Sequence, residues 1–137
     1  PQFPEMSARD WEELTAMTAA LLRTVDKVLQ NANLGFTDAF GKARLEVADH
    51  FPFLHPNEGV FHYAQGRVLL QEEVDPAMLV GGISECLRRI FNKLVSNPRF
   101  FALYKQIAQQ INILVRQRQE QFDKFGYTQK LERIIKF

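Results

Sequence analysis

Three histidines, His50, His55 and His62, fall within thirteen residues, with Asp49 and Glu58 close by. Imidazole nitrogens and carboxylate oxygens are the ligands of zinc and its neighbours, but a site needs three of them to converge with support behind each ring. The spacing does not supply that. Two histidines one helical turn apart share a face, whereas His50 and His55 flank a proline. His62 alternates with Phe61 and Tyr63, so in an extended segment it faces away from them. These three are the metal candidates, and the function they would serve is a small-ligand or metal sensor built on Phe51–His62. No cofactor motif stands elsewhere, and no cofactor is assigned.

Other reactive types are no better placed. Ser7 and Thr37 stand where helices should begin, and Ser84 and Ser96 within or at the end of one. None follows a strand at the sharp turn that exposes a nucleophilic serine. The acid pairs Glu12-Glu13 and Glu72-Glu73 are adjacent in sequence. Adjacent helix positions diverge by roughly 100°, so the first pair is not a shared acid–base dyad. Cys86, the one cysteine, excludes an intrachain disulfide and lies on an apolar helical face, where a thiol is a small inert hydrophobe. Gly81-Gly82 is the one glycine pair, but it falls inside a helical pattern instead of before one, so it is no phosphate loop. Paired glycines there favour close packing and a kink.

Charge is uneven. Residues 1–75 hold six Lys/Arg against twelve Asp/Glu, and residues 76–137 hold eleven against four; −6 and +7 give the net +1. The basic half offers Arg88, Arg89, Lys93, Arg116 and Arg118, with Arg99, Lys105, Lys124 and Lys130, as candidates for nucleic-acid phosphates. Phosphate tracking needs such residues on one face, and Arg88, Lys105 and Arg116 do not share an obvious stripe. Neutralisation of one half by the other, within the fold or across a dimer, is the competing expectation.

The elements that must position these residues are mostly helices. Ser7 reads as an N-cap with Asp10 three residues on. From Ala8 to about Ala32 runs the stripe Trp11, Leu14, Thr18, Leu21, Leu22, Val25, Val28, Leu29, which could lie inside a bundle or zip against a second chain. Asn31 to Gly35 ends it, and a shorter helix from Thr37 to Asp49 follows with Thr37 as cap. Phe51-Pro52-Phe53-Leu54-His55-Pro56 forbids regular structure yet is apolar, so it should be an ordered loop plugging one end of the core. Val60–Tyr63 and Arg67–Gln71 alternate as strands around a three-residue loop, Ala64-Gln65-Gly66. Asp75-Pro76 and Asn97-Pro98 each place a capping side chain before a proline and open two long amphipathic helices, the second reaching Phe125. Gly126 closes it, and Thr128 to Phe137 forms a last short helix. Pro1 to Met6 reads as an extended lead-in.

A chain of 137 residues with 46% hydrophobic and 24% charged residues fits one globular domain. The expected fold is mainly α, a helical bundle of four to five helices with one β-hairpin. Having no signal peptide and no apolar run long enough to span a bilayer, the chain is expected in the cytoplasm. It begins at Pro1 instead of Met, as a fragment of a longer chain would. The expected function is non-enzymatic: a regulatory or signalling module acting through protein–protein contacts, as a homodimer. Its core or interface anchors would be Trp11, Leu14, Leu21, Val25, Phe101, Tyr104, Ile134 and Ile135. A nucleic-acid-associated regulator using the basic half is the alternative.

Overall fold

The structure, a computed structural model, describes residues 6–135; the lead-in expected at Pro1–Met6 and the last two residues of the expected final helix lie outside them, Met6 aside. It is mainly α with one hairpin: α1 Ala8–Asn31, α2 Phe36–Val47, β1 Phe61–Ala64, β2 Arg67–Leu70, α3 Pro76–Val95, α4 Phe101–Gln117, α5 Gln119–Lys124 and α6 Tyr127–Ile134. No described helix is long and apolar enough to cross a membrane.

The Ser7 hydroxyl accepts the Asp10 N–H at 3.0 Å, satisfying one orphan donor at the start of α1. Leu14, Met17, Thr18, Leu21, Leu22, Val25, Val28 and Leu29 are all buried. That face is wider than a coiled-coil seam, so α1 spends it inside the chain, against α2, β2, α4 and α5. Asn33 ends the helix in the left-handed region at φ 60°. The next helix begins one residue earlier than expected. Gly35 stands at the cap position and its carbonyl receives Ala39 N–H, while Thr37 is an exposed residue inside the helix. Phe36, at 2% exposure, is drawn into the core and sets that start.

Prolines 52 and 56 each open a single 3-10 turn, Pro52–Leu54 and Pro56–Glu58, where a missing N–H costs nothing. Leu54 is fully buried and Phe51 and Phe53 half-buried. This segment seats on Gly81-Gly82. A Cβ on Gly82 would stand 2.9 Å from Leu54 Cδ1 and 3.0 Å from the Phe53 ring. The glycine pair is thus a notch for a loop, not for another helix, and α3 is one continuous helix across it.

The hairpin turn has two residues, not three. Gln65 and Gly66 both have positive φ, 54° and 75°, the type I′ geometry whose twist matches that of the strands. A Cβ on Gly66 would also meet the exposed Arg23 side chain, with Cδ at 2.8 Å. Pairing runs from Phe61↔Leu70 to Ala64↔Arg67. Phe61, Tyr63, Val68 and Leu70 face inward, His62, Ala64, Arg67 and Leu69 outward. Phe36 and Phe40 meet the inner face, Phe36 edge-on to Tyr63 at 5.5 Å and Phe40 edge-on to Phe61 at 6.0 Å. A lone hairpin is marginal in water; this contact holds it together with the packing of β2 on α1 and the Tyr63 hydroxyl, which donates to Asp26 at 2.9 Å.

Asp75 caps α3 through Ala77 N–H at 3.1 Å. Asn97 accepts Arg99 N–H at 3.0 Å, but Pro98 first makes one 3-10 turn before α4. The expected single helix to Phe125 is two. Arg116 to Glu120 are all exposed, so no packing holds the backbone in register, and it breaks at Arg118 (φ −132°, ψ 42°). The break turns Phe122 into the core. Gly126, at φ 87°, then reverses the chain so that Tyr127 and Leu131 of α6 pack on α3 and α5.

Candidate functional site

The hinge at Asn97-Pro98 separates the end of α3 from the start of α4, and α6 closes only one side of the gap. A groove of about 620 Å³ results, lined by Phe91, Asn92 and Val95 of α3, by Phe101, Tyr104, Lys105, Ala108, Gln109 and Asn112 of α4, and by Arg133 and Ile134 of α6. The α4 residues recur at three- and four-residue steps, which is why one helix supplies most of one wall. Phe91 and Ala108 form a buried floor. Tyr104 stands edge-on to Phe91 at 6.0 Å and stacks on Phe101 at 6.1 Å. Val95 and Phe101 are left 44% and 42% exposed, far more than bundle residues of their size need be. Lys105 Nζ lies 5.1 Å from the Phe101 ring centroid, so its cation sits at the rim with its stem along the aromatic surface. With Arg133 it gives the rim two positive charges, and no aspartate or glutamate lines the groove. Such a surface can bind an apolar face flanked by carboxylates.

Three of the eight sequence anchors meet here: Phe101, Tyr104 and Ile134. Leu14, Leu21, Val25 and Ile135 are at most 1% exposed and belong to the chain's own core, so none of them can anchor a partner. Trp11, half-buried, faces a different groove beside β2. Val95, Asn92, Gln109, Asn112 and Arg133 were not singled out from sequence, because only the hinge brings α3, α4 and α6 to one place.

The basic candidates divide. Arg88 pairs with Glu85, Arg89 with Glu46 at 3.3 Å and Glu85 at 3.4 Å, and Lys93 with Glu46 at 3.0 Å. Lys93 and Arg89 hold the Glu46 carboxyl below its ordinary pKa, and Arg88 and Arg89 do the same for Glu85. Lys124 reaches Asp10 at 2.7 Å. Arg116 and Arg118 stay exposed at the α4–α5 break. A continuous phosphate-binding stripe is therefore not what α3 presents.

The histidines do not converge. His50 is exposed, His55 Nδ1 accepts the Asn57 N–H at 3.1 Å, and His62 Nε2 lies 2.9 Å from the Gly59 carbonyl. Among the described residues no group of three His, Cys, Asp or Glu side chains could hold a metal ion. Ser96 Oγ donates to the Lys93 carbonyl at 3.0 Å, and the buried Ser84 hydroxyl has no hydrogen-bond partner among the described residues. Cys86 is fully buried, and burial pushes its thiol up to about 12.

One structural cation escaped the sequence reading. Arg44 points inward from α2, donating from Nε to the Leu54 carbonyl at 2.8 Å and from Nη2 to the Phe61 carbonyl at 2.7 Å. Its guanidinium also lies over the Phe40 and Phe61 rings. It ties the proline loop to the hairpin. No spacing rule reveals this, because the partners are backbone oxygens of other segments.

Comparisons with protein-family models, with curated proteins and with solved structures found no match for this chain.

Proposed function

We propose that the protein is a non-enzymatic regulatory interaction module whose α3–α4–α6 groove receives one face of an acidic amphipathic helix from a partner protein. The observation that carries this is the groove's composition: exposed Val95 and Phe101 over an apolar floor, Lys105 and Arg133 at the rim, and no carboxylate in the lining. Contiguous exposed apolar surface rimmed by polar groups marks a partner site. A helix laid into such a groove presents anchors at i, i+3, i+4 and i+7, and its flanking carboxylates would meet the two cations. The amides of Asn92, Gln109 and Asn112 add adaptable hydrogen bonding.

The test uses two synthetic helical peptides with the same leucine stripe, one flanked by glutamates and one by lysines, titrated by fluorescence anisotropy. The glutamate peptide is expected to bind at least tenfold tighter. Phe101→Ala, which removes a central aromatic anchor, is expected to weaken it by at least tenfold. Lys105→Glu should narrow the preference between the peptides. Equal affinity for both peptides, unchanged by Phe101→Ala, would refute the reading.

A further inference from the structure

We propose that the outer edge of β2 is the seam of a symmetric homodimer, in which β2 pairs antiparallel with β2 of a second copy to make a four-stranded sheet. This goes beyond the groove and rests on a different surface.

Hydrogen bonds in an antiparallel pair alternate, so each strand residue points its N–H and C=O either to its partner or away. Gln71 N–H bonds the Val60 carbonyl at 2.8 Å, and the two-residue turn makes Ala64 and Arg67 a bonded pair. Arg67, Leu69 and Gln71 therefore face β1. Val68 and Leu70 turn their backbone groups outward, and nothing among the described residues meets them. The other edge is different. Its outward Phe61 carbonyl is taken by Arg44. The hairpin thus has one edge closed by a half-buried cation and one left open.

The open edge borders space. Trp11, Glu12 and Thr15 of α1 and Val68, Leu69, Leu70, Glu72 and Glu73 enclose a groove of about 460 Å³. It continues toward the turn as a second of about 290 Å³ that shares Glu12 with the first and adds Arg23 and Arg67. The edge is acidic at one end and basic at the other. Leu69, between them, is 56% exposed.

A second copy is the occupant this pattern selects. Around a two-fold axis at Leu69, Val68 pairs with the second copy's Leu70 and Leu70 with its Val68. Each pair exchanges two N–H···O bonds, four in all. The two Leu69 side chains become directly opposed on the outer face, the close cross-strand arrangement. Antiparallel pairing also reverses the charge order, so the Arg67 end of each copy meets the other's Glu72-Glu73 end, just past its β2. Self-complementarity of one patch is what a two-fold interface demands. An unrelated strand would have to reproduce the same order of charge by chance.

Sedimentation velocity over a concentration series, at low ionic strength, tests the seam. The full chain is expected to dimerise reversibly. Val68→Pro removes an outward N–H without touching the bonds to β1, so it is expected to raise the dimer dissociation constant at least tenfold. Leu69→Lys changes an exposed side chain, spares the fold and should do the same. Glu73→Arg should weaken the dimer at least tenfold, and Arg67→Glu combined with Glu73→Arg should restore it. Phe101→Ala should leave it unchanged, which separates the seam from the groove. A chain that stays monomeric to about 1 mM overturns the proposal. So does a dimer indifferent to Leu69→Lys and Glu73→Arg.

Discussion

Exchanging each of the two glycines of α3 for alanine should give different results, although the residues are adjacent in one helix. Both gain about 1 kcal/mol from alanine's higher helix propensity. At Gly81 the new methyl meets the Phe51 ring at 3.4 and 3.6 Å, ordinary contact, so most of that gain should appear as stability. At Gly82 it meets Leu54 Cδ1 at 2.9 Å and the Phe53 ring at 3.0 and 3.1 Å. Neither neighbour can retreat freely: Leu54 is fully buried, and the Phe53 ring is held edge-on to Phe61 at 6.3 Å. Overpacking of this kind costs about 1–3 kcal/mol. Gly81→Ala should therefore stabilise by about 0.5–1 kcal/mol, and Gly82→Ala should be neutral to about 2 kcal/mol destabilising. At this chain length that is about 3–4 °C of Tm per kcal/mol. Urea unfolding with a shared slope reads the difference directly. In a Phe53→Leu background, which removes two of the three close contacts, the Gly82→Ala penalty should shrink by half or more. A Gly82→Ala protein as stable as Gly81→Ala would refute the claim that the proline loop is seated in a glycine notch.

Tyr127→Phe should cost about 1–3 kcal/mol, because it leaves the buried Thr18 hydroxyl, 2.5 Å from the phenol oxygen, without its partner. Adding Thr18→Val should recover part of that loss in a double-mutant cycle, and strict additivity would count against the pairing. The Glu85 and Glu46 carboxyls are held below their ordinary 4.5, chiefly by Arg88 and Lys93 respectively. A lowered folded-state pKa adds stability above the unfolded value that is lost as pH falls through the folded one. Stability should thus decline below about pH 4.5, and Glu85→Gln with Glu46→Gln should flatten that limb; an unchanged acid limb would contradict it. Cys86 should react with an aromatic disulfide reagent only through unfolding, at least about a thousandfold slower in buffer than in urea, and prompt native labelling would overturn its burial.

What the chain's own pattern disclosed follows from how local each determinant is. The caps at Ser7, Asp75 and Asn97 accept the expected N–H groups, because a cap needs only the next two or three residues. The apolar stripes of α1, α3 and α4 are buried as their period requires. The first turn of α2 starts earlier than the pattern implies and the break at Arg118 has no signal in it, since each depends on where Phe36 and Phe122 find the core. Gln65 in the left-handed region was also not legible, because a non-glycine residue takes that conformation only where the hairpin demands it. Arg44, Tyr127 and the groove lay beyond reach for a stronger reason. Each is a relation between segments far apart in sequence: the Thr18–Tyr127 pair spans 109 residues. Trp11, Leu14, Leu21 and Val25 share one stripe, and nothing in its period says that three go to the core and one to a groove.

The charge asymmetry acquires a physical meaning once the pairs are placed. Glu46 of the acidic half is held by Arg89 and Lys93, and Asp10 by Lys124, so part of the opposition is settled along seams between helices. The cationic groove with Phe101, and the β2 edge with Leu69 between its acidic and basic ends, each keep charge around an exposed apolar residue. Exposed ion pairs contribute little to stability, so these leftover charges are not needed to hold the fold. On the proposed reading their use lies in choosing partners. The two surfaces differ in kind. The groove carries one sign and so excludes its own copy's groove, whereas the strand edge carries both signs in an order that a two-fold axis satisfies. A dimer closed through β2 would leave the groove open in each copy, and the two modes of association would then add without competing.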